Sequence, residues 1–196
     1  MLTLSKRNQV AIGLMLAALM AATRGGHHIA SLAHLPSASW AVFFLAGVYL
    51  RSGWTFPAFM IGAVALDAIA IGWMNVSSYC VTPAYAMLLP AYGSLWLAGR
   101  WYAKRHTDTL ATFGALITAV LVGVTTCELL SSGGFYFFSG RFVEPTLAEF
   151  GPRLAKYFPG YLQSMGFWIG VATLIHASLV LTLRRSTPVI QAGAGR

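Results

Sequence analysis

Charged residues are scarce in this sequence: 13 Lys or Arg and 5 Asp or Glu occur among 196 residues, which is 9% of the chain. Hydrophobic residues make up 57%, and the mean hydropathy is +0.68. Soluble globular domains contain roughly 25% charged residues. The composition therefore excludes an ordinary soluble domain and indicates an integral membrane protein that lies in the lipid bilayer.

Acidic residues are especially few, and they leave a net charge of +8 and a pI of about 9.9. In a soluble protein this excess would suggest a nucleic-acid partner. Here the Lys and Arg residues cluster beside apolar runs, as they do in the loops of membrane proteins. We therefore expect no nucleic-acid partner.

Several catalytic motifs are also missing from the sequence. It contains no Gly-rich phosphate loop, no His-Glu-x-x-His pair, no Cys-x-x-Cys pair and no Gly-x-Ser-x-Gly elbow. Hydrolytic and nucleotide-driven chemistry within the chain is therefore not expected. We predict a transporter or substrate-binding membrane protein rather than an enzyme.

Apolar runs separated by Pro, Gly and charge clusters predict an all-α protein with six transmembrane helices. The helices are predicted near residues 8–23, 37–50, 56–74, 83–99, 109–131 and 160–183. Because each crossing needs about 20 residues, they leave room for a single transmembrane domain over residues 1–196. The first run resembles the apolar region of a signal peptide, but residues 21–24 supply no small-x-small cleavage site, so a retained helix is expected.

The distribution of basic residues predicts how such a six-helix chain is oriented. With a cytoplasmic N-terminus, the inner side would hold Lys6, Arg7, Arg51, Arg100, Lys104, Arg105, Arg184, Arg185 and Arg196, and the outer side would hold Arg24, Arg141, Arg153 and Lys156. The excess of Lys and Arg favours cytoplasmic N- and C-termini. The connections 24–36, 75–82 and 132–159 then lie outside, and the length of the third is typical of a functional loop.

Asp67 is an acid deep within an apolar run, Ala63 to Ala70. An ionisable group there normally faces a partner or a wet cavity, so we expect Asp67 to line the floor of an outward-open pocket. The alternative is a protonated acid that bonds a neighbouring helix. Glu128 is more ambiguous and is expected near the membrane interface.

Cys80 lies in the second outer connection, among Ser, Tyr and Pro residues. A thiolate is a soft ligand suited to transition metals, although a lone cysteine often serves as a small hydrophobic residue. Cys127 is expected to be a packing residue in the fifth helix. A disulfide between Cys80 and Cys127 is an alternative that would remove the thiolate.

Three of the five histidines lie in the first outer connection, at positions 27, 28 and 34. His27 and His28 would point about 100° apart on a regular helix, so both could bind one metal only on an irregular backbone. His176 is expected to form a hydrogen bond between helices and to have no direct role.

Six short helices, a chain near 200 residues and an outward pocket resemble the substrate-binding S-components of energy-coupling-factor (ECF) vitamin transporters. The segment 24–28 (RGGHH), the helix with Asp67 and the segment 79–85 (YCVTPAY) are similar to the BtuM family of cobalamin (vitamin B12) transporters. The resemblance covers essentially the whole chain. It implies an ECF S-component-like bundle in the bacterial inner membrane.

The resemblance implies cobalamin uptake, with the corrin held at the periplasmic face and its cobalt bound by the sulfur of Cys80. Polar residues around the corrin would be His28, Asp67, Tyr85 and Arg153. Amide side chains of the corrin need donors and acceptors, and its macrocycle needs an apolar wall, for which Tyr79 and residues 135–138 are candidates. Strong sulfur donation would also promote removal of cyanide from cyanocobalamin.

S-components dock on a coupling module through small residues of the first helix. Here Ala17 with Ala21, and Ala18 with Ala22, form small-xxx-small pairs that permit close helix approach. Packing within the chain is the alternative explanation.

Two other classes of function stay open. A membrane redox protein would use Cys80 and Cys127 with a quinone, or would bind haem through His27, His28 or His34. A cobalt or nickel permease would use the His-rich first connection. The redox class is disfavoured because paired cysteine spacing is missing and no two histidines are predicted to face each other across helices.

Overall fold

The computed structural model describes residues 4–24, 35–107 and 111–185, and within them the chain forms six α-helices in the predicted order. They are α1 (Lys6–Arg24), α2 (Ser39–Tyr49), α3 (Thr55–Trp73), α4 (Leu88–Arg105), α5 (Ala111–Phe138) and α6 (Leu147–Arg185). Two short 3₁₀ turns, Ser78–Cys80 and Pro83–Met87, join α3 to α4. The all-helical fold class is confirmed for this part of the chain.

Three segments in the described ranges are long and apolar enough to cross a membrane: Thr55–Trp73, Thr112–Phe138 and Leu147–Thr182. Helix α2 is apolar but has 11 residues, well below the ~20 needed for a full crossing. Helices α1 and α4 carry basic residues in their terminal turns. The structure thus supports a membrane protein, and six crossings remain a prediction.

Helix α2 lies at the centre of the bundle. Nine of its 11 residues are buried, and it packs against α1, α3, α4 and α6. A helix that is hydrophobic on every side is stable only when neighbours cover all of it. This explains why α2 is apolar throughout although it is too short to span a bilayer.

Two glycines allow α2 and α4 to cross closely. A Cβ atom added at Gly47 would collide with the backbone carbonyl of Trp96, and one added at Gly99 would collide with that of Phe44. The two helices therefore touch through their backbones at this crossing. Small residues at such contacts are typical of helix packing in membranes.

The predicted ends of the last three helices are wrong, although the helices themselves form. Pro83 begins a 3₁₀ turn instead of α4, which continues to Arg105. Cations in the last turn of α4 are favoured by the helix dipole, so the charge cluster does not end the helix where we expected.

The predicted outer connection 132–159 is mostly helical. Helix α5 continues to Phe138 and α6 begins at Leu147, so the connection between them covers residues 139–146 alone. Gly133 and Gly134 do not end α5; they face Phe150 and Met87 across close contacts. Two prolines lie inside α6, so they are not the helix boundary that proline usually indicates.

The two ends of the bundle differ in charge. At one end, the Arg51 backbone N–H donates to Gln9 of α1, and Arg100 of α4 donates to the Arg51 carbonyl. The basic residues at this end are Lys6, Arg7, Arg51, Arg100, Lys104 and Arg105, with Arg184 and Arg185 at the end of α6. Because successive helices alternate in direction, the ends of α1, α3 and α5 meet at the opposite end.

Candidate binding site

A cavity of about 410 Å³ opens at the less basic end of the bundle. It is lined from α1, α3, the two 3₁₀ turns and the facing parts of α4, α5 and α6. Its lining residues are Arg24, Asp67, Tyr79, Cys80, Ala84, Tyr85, Leu88, Ser131, Ser132, Phe135, Arg153, Tyr157 and Tyr161. Five of the six predicted site residues, Cys80, Asp67, Tyr85, Arg153 and Tyr79, thus lie around one cavity.

The sixth predicted residue, His28, lies outside the described residues, as do His27 and His34. The segment that contains them follows Arg24 directly in the sequence. Arg24, the last described residue before this segment, lines the cavity.

An ion pair between Arg24 and Asp67 forms one wall of the cavity. Arg24 Nε donates to Asp67 Oδ1 and Nη2 donates to Oδ2, each at 2.8 Å. The side chains are 10% and 25% exposed, respectively. A bidentate pair of this kind fixes the geometry of both groups. Asp67 therefore lines the cavity and is bonded to a cation on the neighbouring helix α1.

Two tyrosines complete this polar network. The Tyr85 hydroxyl donates to Asp67 Oδ2 at 2.6 Å, and Arg24 Nη1 donates to the Tyr92 hydroxyl oxygen at 2.8 Å. Burial, together with the bond to Asp67, raises the pKa of the Tyr85 phenol above its ordinary value. The Tyr85 hydroxyl therefore stays protonated near neutral pH and remains a donor.

The turn after α3 places Cys80 at the cavity. Asn75 adopts a left-handed conformation with φ 54° and ends α3 as αL residues commonly do. The hydroxyl oxygen of Ser77 then accepts from the Tyr79 N–H at 3.2 Å, which begins the 3₁₀ turn that includes Cys80. The thiol of Cys80 is exposed and lines the cavity.

The alternative of a disulfide between the two cysteines is wrong, because both are free. Cys127 is buried in α5, as expected of a packing residue, whereas Cys80 is exposed. A redox pair of these two thiols gains no support from this arrangement.

Aromatic rings cover the side of the cavity near Cys80. The rings of Tyr79 and Phe135 lie 5.8 Å apart at 57°, and both residues line the cavity. The guanidinium of Arg141 lies 4.7 Å from the centre of the Tyr79 ring, a cation–π distance. The predicted apolar wall therefore includes Tyr79 and Phe135, and the side chain of Phe138 is exposed.

Arg153 reaches the cavity from the first turns of α6. Its guanidinium lies 4.9 Å from the ring centre of Phe142 and 5.2 Å from that of Tyr157. These ring contacts orient the guanidinium and do not neutralise its charge. Its N–H groups can therefore donate hydrogen bonds to a polar ligand.

A second cavity of about 230 Å³ adjoins the first. The two share Arg24, Leu88, Ser131 and Tyr161. Serines supply much of the polar lining of the second cavity, namely Ser37, Ser39 and Ser164. Together the cavities offer hydroxyl groups and the guanidinium groups of Arg24 and Arg153 to a ligand larger than either.

Sequence reasoning missed several residues of the site. The sequence predicts Arg24 in a connection and Glu128 near the membrane interface, and it gives no signal for Tyr92 or Tyr161, which fall within the predicted ranges 83–99 and 160–183. Glu128 is instead completely buried, one turn before Ser132 on the cavity wall. The signal for Glu128 was the one that identified Asp67, an acid within an apolar run.

The remaining histidines lie at the opposite, more basic end. The Tyr49 hydroxyl and His176 Nδ1 are 3.5 Å apart, which supports the expected hydrogen bond between helices. The rings of His106 and His176 are in edge contact, with centres 5.4 Å apart. The expectation that no two histidines face each other is thus wrong, but rings in contact leave no space for a haem between them.

A direct metal site has no support in the part of the chain that the structure describes. No group of three or more His, Cys, Asp or Glu residues there is arranged to hold a metal ion. The His-rich segment proposed for a cobalt or nickel permease lies outside that part.

No protein-family model matches the sequence, and a search of curated proteins finds no significant match.

Proposed function

We propose that the protein takes up cobalamin across the bacterial inner membrane and binds it at the cavity, with the Cys80 sulfur as a ligand of the cobalt. The observation that carries the proposal is that Cys80, Asp67, Tyr85, Arg153 and Tyr79 line one cavity. These residues come from four separate parts of the chain. They combine a soft metal ligand, charged and hydroxyl donors and an aromatic ring.

The chemistry of the cavity suits a flat ligand with amide side chains. Its volume of about 410 Å³ is typical of small-molecule sites, which span ~300–1,000 Å³. A corrin is larger, so it would lie across the open mouth with its cobalt above Cys80. Tyr79 and Phe135 would contact the macrocycle, while Arg153 would donate to amide oxygens and Asp67 would accept from amide nitrogens.

Ligation by Cys80 has a chemical consequence for cyanocobalamin. The thiolate forms a bond to cobalt(III), and strong donation from sulfur weakens the bond to the axial cyanide on the other face. Cyanide leaves with its electron pair, so the cobalt is neither oxidised nor reduced. The dimethylbenzimidazole base is displaced in the same complex, which gives a base-off form.

The charge distribution supports cytoplasmic N- and C-termini. Basic residues concentrate at the end of the bundle away from the cavity, and Lys and Arg are retained on the cytoplasmic side of membranes. The cavity would then open to the periplasm. Inward release would require docking on a coupling module or a conformational change of the protein alone.

Helix α1 presents a face that suits docking on an ECF-type coupling module. Ala17, Ala18 and Ala22 are exposed, whereas Ala21 is half-buried. Beside Ala17 runs an apolar groove to which Gly13 of α1 and Ala58 and Gly62 of α3 also contribute. Small residues on both sides allow another helix to approach closely.

Growth rescue of a bacterial strain that lacks its own cobalamin importer tests the proposal. We expect the wild-type protein and Cys127→Ala to restore cobalamin-dependent growth, and Cys80→Ala and Asp67→Ala to fail at limiting cobalamin. Membrane levels of each variant, measured by immunoblot, separate loss of uptake from loss of folding. No rescue by a well-expressed wild type would refute uptake, and full rescue by both site variants would refute the site.

A further inference from the structure

Glu128 is an acid in the interior of the bundle that the proposed uptake site does not use. It lies on α5 within a membrane-crossing segment, and its side chain is 0% exposed. Charged groups at such depth are rare, and in membrane proteins they commonly mark ion and proton pathways.

Only one of the two carboxyl oxygens is satisfied. Ser132 Oγ donates to Glu128 Oε1 at 2.6 Å, while Oε2 is buried with no hydrogen-bond partner among the described residues. A buried carboxylate with an unpaired oxygen is costly, and binding a proton removes its charge. One carboxyl and one hydroxyl are too few ligands for a metal cation, and the described residues include no group of three or more His, Cys, Asp or Glu that could hold one.

Ser132 connects this acid to the cavity. It lies one helical turn after Glu128 and lines the cavity wall. Its hydroxyl can pass its proton to Oε1 while accepting another from a hydronium ion in the cavity, which becomes water. A single hydroxyl group, that of Ser132, therefore separates the acid from the cavity.

Residues on the other side of Ser132 along α5 are buried around Glu128. Val124 and Cys127, which precede the acid on α5, are fully buried, as is Leu95 of α4, which lies beside Gly123 of α5. Among the described residues, Ser132 thus links the acid to the cavity side. Access from one side at a time is what a transporter needs in order to couple two solutes.

Charged and titratable groups from neighbouring helices link Glu128 to the ligand. Arg153 of α6 attracts the carboxylate electrostatically and also lines the cavity. Tyr161 of α6 interacts with Glu128 as well, whereas Tyr92 of α4 interacts with the neighbouring Cys127. A ligand that engages Arg153 weakens its attraction for the carboxylate and so favours the protonated acid.

We propose that Glu128 is a proton-binding site, reached through Ser132, and that the protein carries a proton inward together with the ligand of the cavity. The second half of this inference rests on the proposed uptake function. The proton site itself does not, so the two parts are tested separately.

Infrared titration of the reconstituted protein tests the proton site without any ligand. In the difference spectrum between the wild type and Glu128→Gln we expect a protonated-carboxyl band that varies with pH, and the exposed control Glu144→Gln should retain that band. The same band in Glu128→Gln, or its absence from the wild type at every pH, would overturn the proton site. Circular dichroism of each variant verifies that the helices are retained.

Uptake of radiolabelled cobalamin into proteoliposomes tests the coupling. An acid-outside pH gradient should raise uptake several-fold for the wild type and Glu144→Gln. Glu128→Gln should bind cobalamin but ignore the gradient, and Ser132→Ala should respond more slowly. Equal responses of the wild type and Glu128→Gln would overturn the coupling. A wild type that binds no cobalamin would refute the proposed uptake instead, and the infrared titration would still decide the proton site.

Discussion

Arg24 ends α1 and forms two parallel hydrogen bonds, each 2.8 Å long, with Asp67 in the second half of α3. The two residues are 43 positions apart in the sequence. Their pairing fixes the end of α1 against α3 at the edge of the cavity. It also holds the carboxylate in place for Tyr85, which donates to the same oxygen that Arg24 Nη2 contacts.

Removing either member of this pair should destabilise the protein. Two hydrogen bonds join the pair, and removing one partner of a largely buried ion pair costs about 3–5 kcal/mol, so Asp67→Asn and Arg24→Gln should each lower the free energy of unfolding by about 4 kcal/mol. Thermal unfolding in detergent measures the change.

The double variant separates the pair from its surroundings. Arg24→Gln combined with Asp67→Asn should cost less than the two single changes added together, because each single change already removes the shared interaction. Arg141→Gln, which removes a cation from an exposed ring contact, is the matched control and should change stability little. Additive single effects would argue against the pairing.

The crossing of α2 and α4 gives a second prediction. Gly47→Ala or Gly99→Ala would place a methyl group against a backbone carbonyl of the facing helix. Since backbone cannot move aside as a side chain can, each change should cost about 3 kcal/mol, at the upper end of overpacking effects. A shift of thermal unfolding in detergent measures the loss.

Gly114→Ala is the control for this crossing. No atom of the other described helices or turns lies within 4 Å of the added Cβ, and alanine is favoured over glycine in a helix by up to ~1 kcal/mol. The control should therefore be as stable as the wild type or slightly more stable. Equal effects at positions 47, 99 and 114 would contradict the close crossing.

The different exposure of the two cysteines predicts how they react. A membrane-impermeant maleimide applied to intact spheroplasts should label the wild type once, at Cys80. Cys127→Ala should label equally, and Cys80→Ala should label only after denaturation. Labelling of native Cys127 would contradict its burial, and labelling of Cys80 only in inverted vesicles would reverse the proposed orientation.

The six helices could be predicted because apolar runs and charge clusters are local features of the sequence. Their ends could not, because tertiary packing decides them. The sequence predicted that the fifth helix ends at residue 131, yet Gly134 is still helical where α5 meets Met87. Likewise Pro152 and Pro159 lie inside α6. The helix therefore covers a stretch that the sequence indicated as a connection.

Much of the site could be predicted because its residues are chemically unusual for a membrane chain. An acid within an apolar run and an exposed thiol identified Asp67 and Cys80. The partner of Asp67 could not be found in this way, since pairing across helices depends on depth and rotation. Arg24 was one basic residue among several, and nothing local shows that it turns inward.

The visible absorption spectrum of cobalamin bound to the purified protein tests the central claim most directly. With the wild type and Cys127→Ala, we expect a spectrum that differs from that of free cyanocobalamin and release of free cyanide. With Cys80→Ala, bound cobalamin should keep both its cyanide and the spectrum of the free vitamin. The same altered spectrum and the same cyanide release from Cys80→Ala would contradict ligation of cobalt by the Cys80 sulfur.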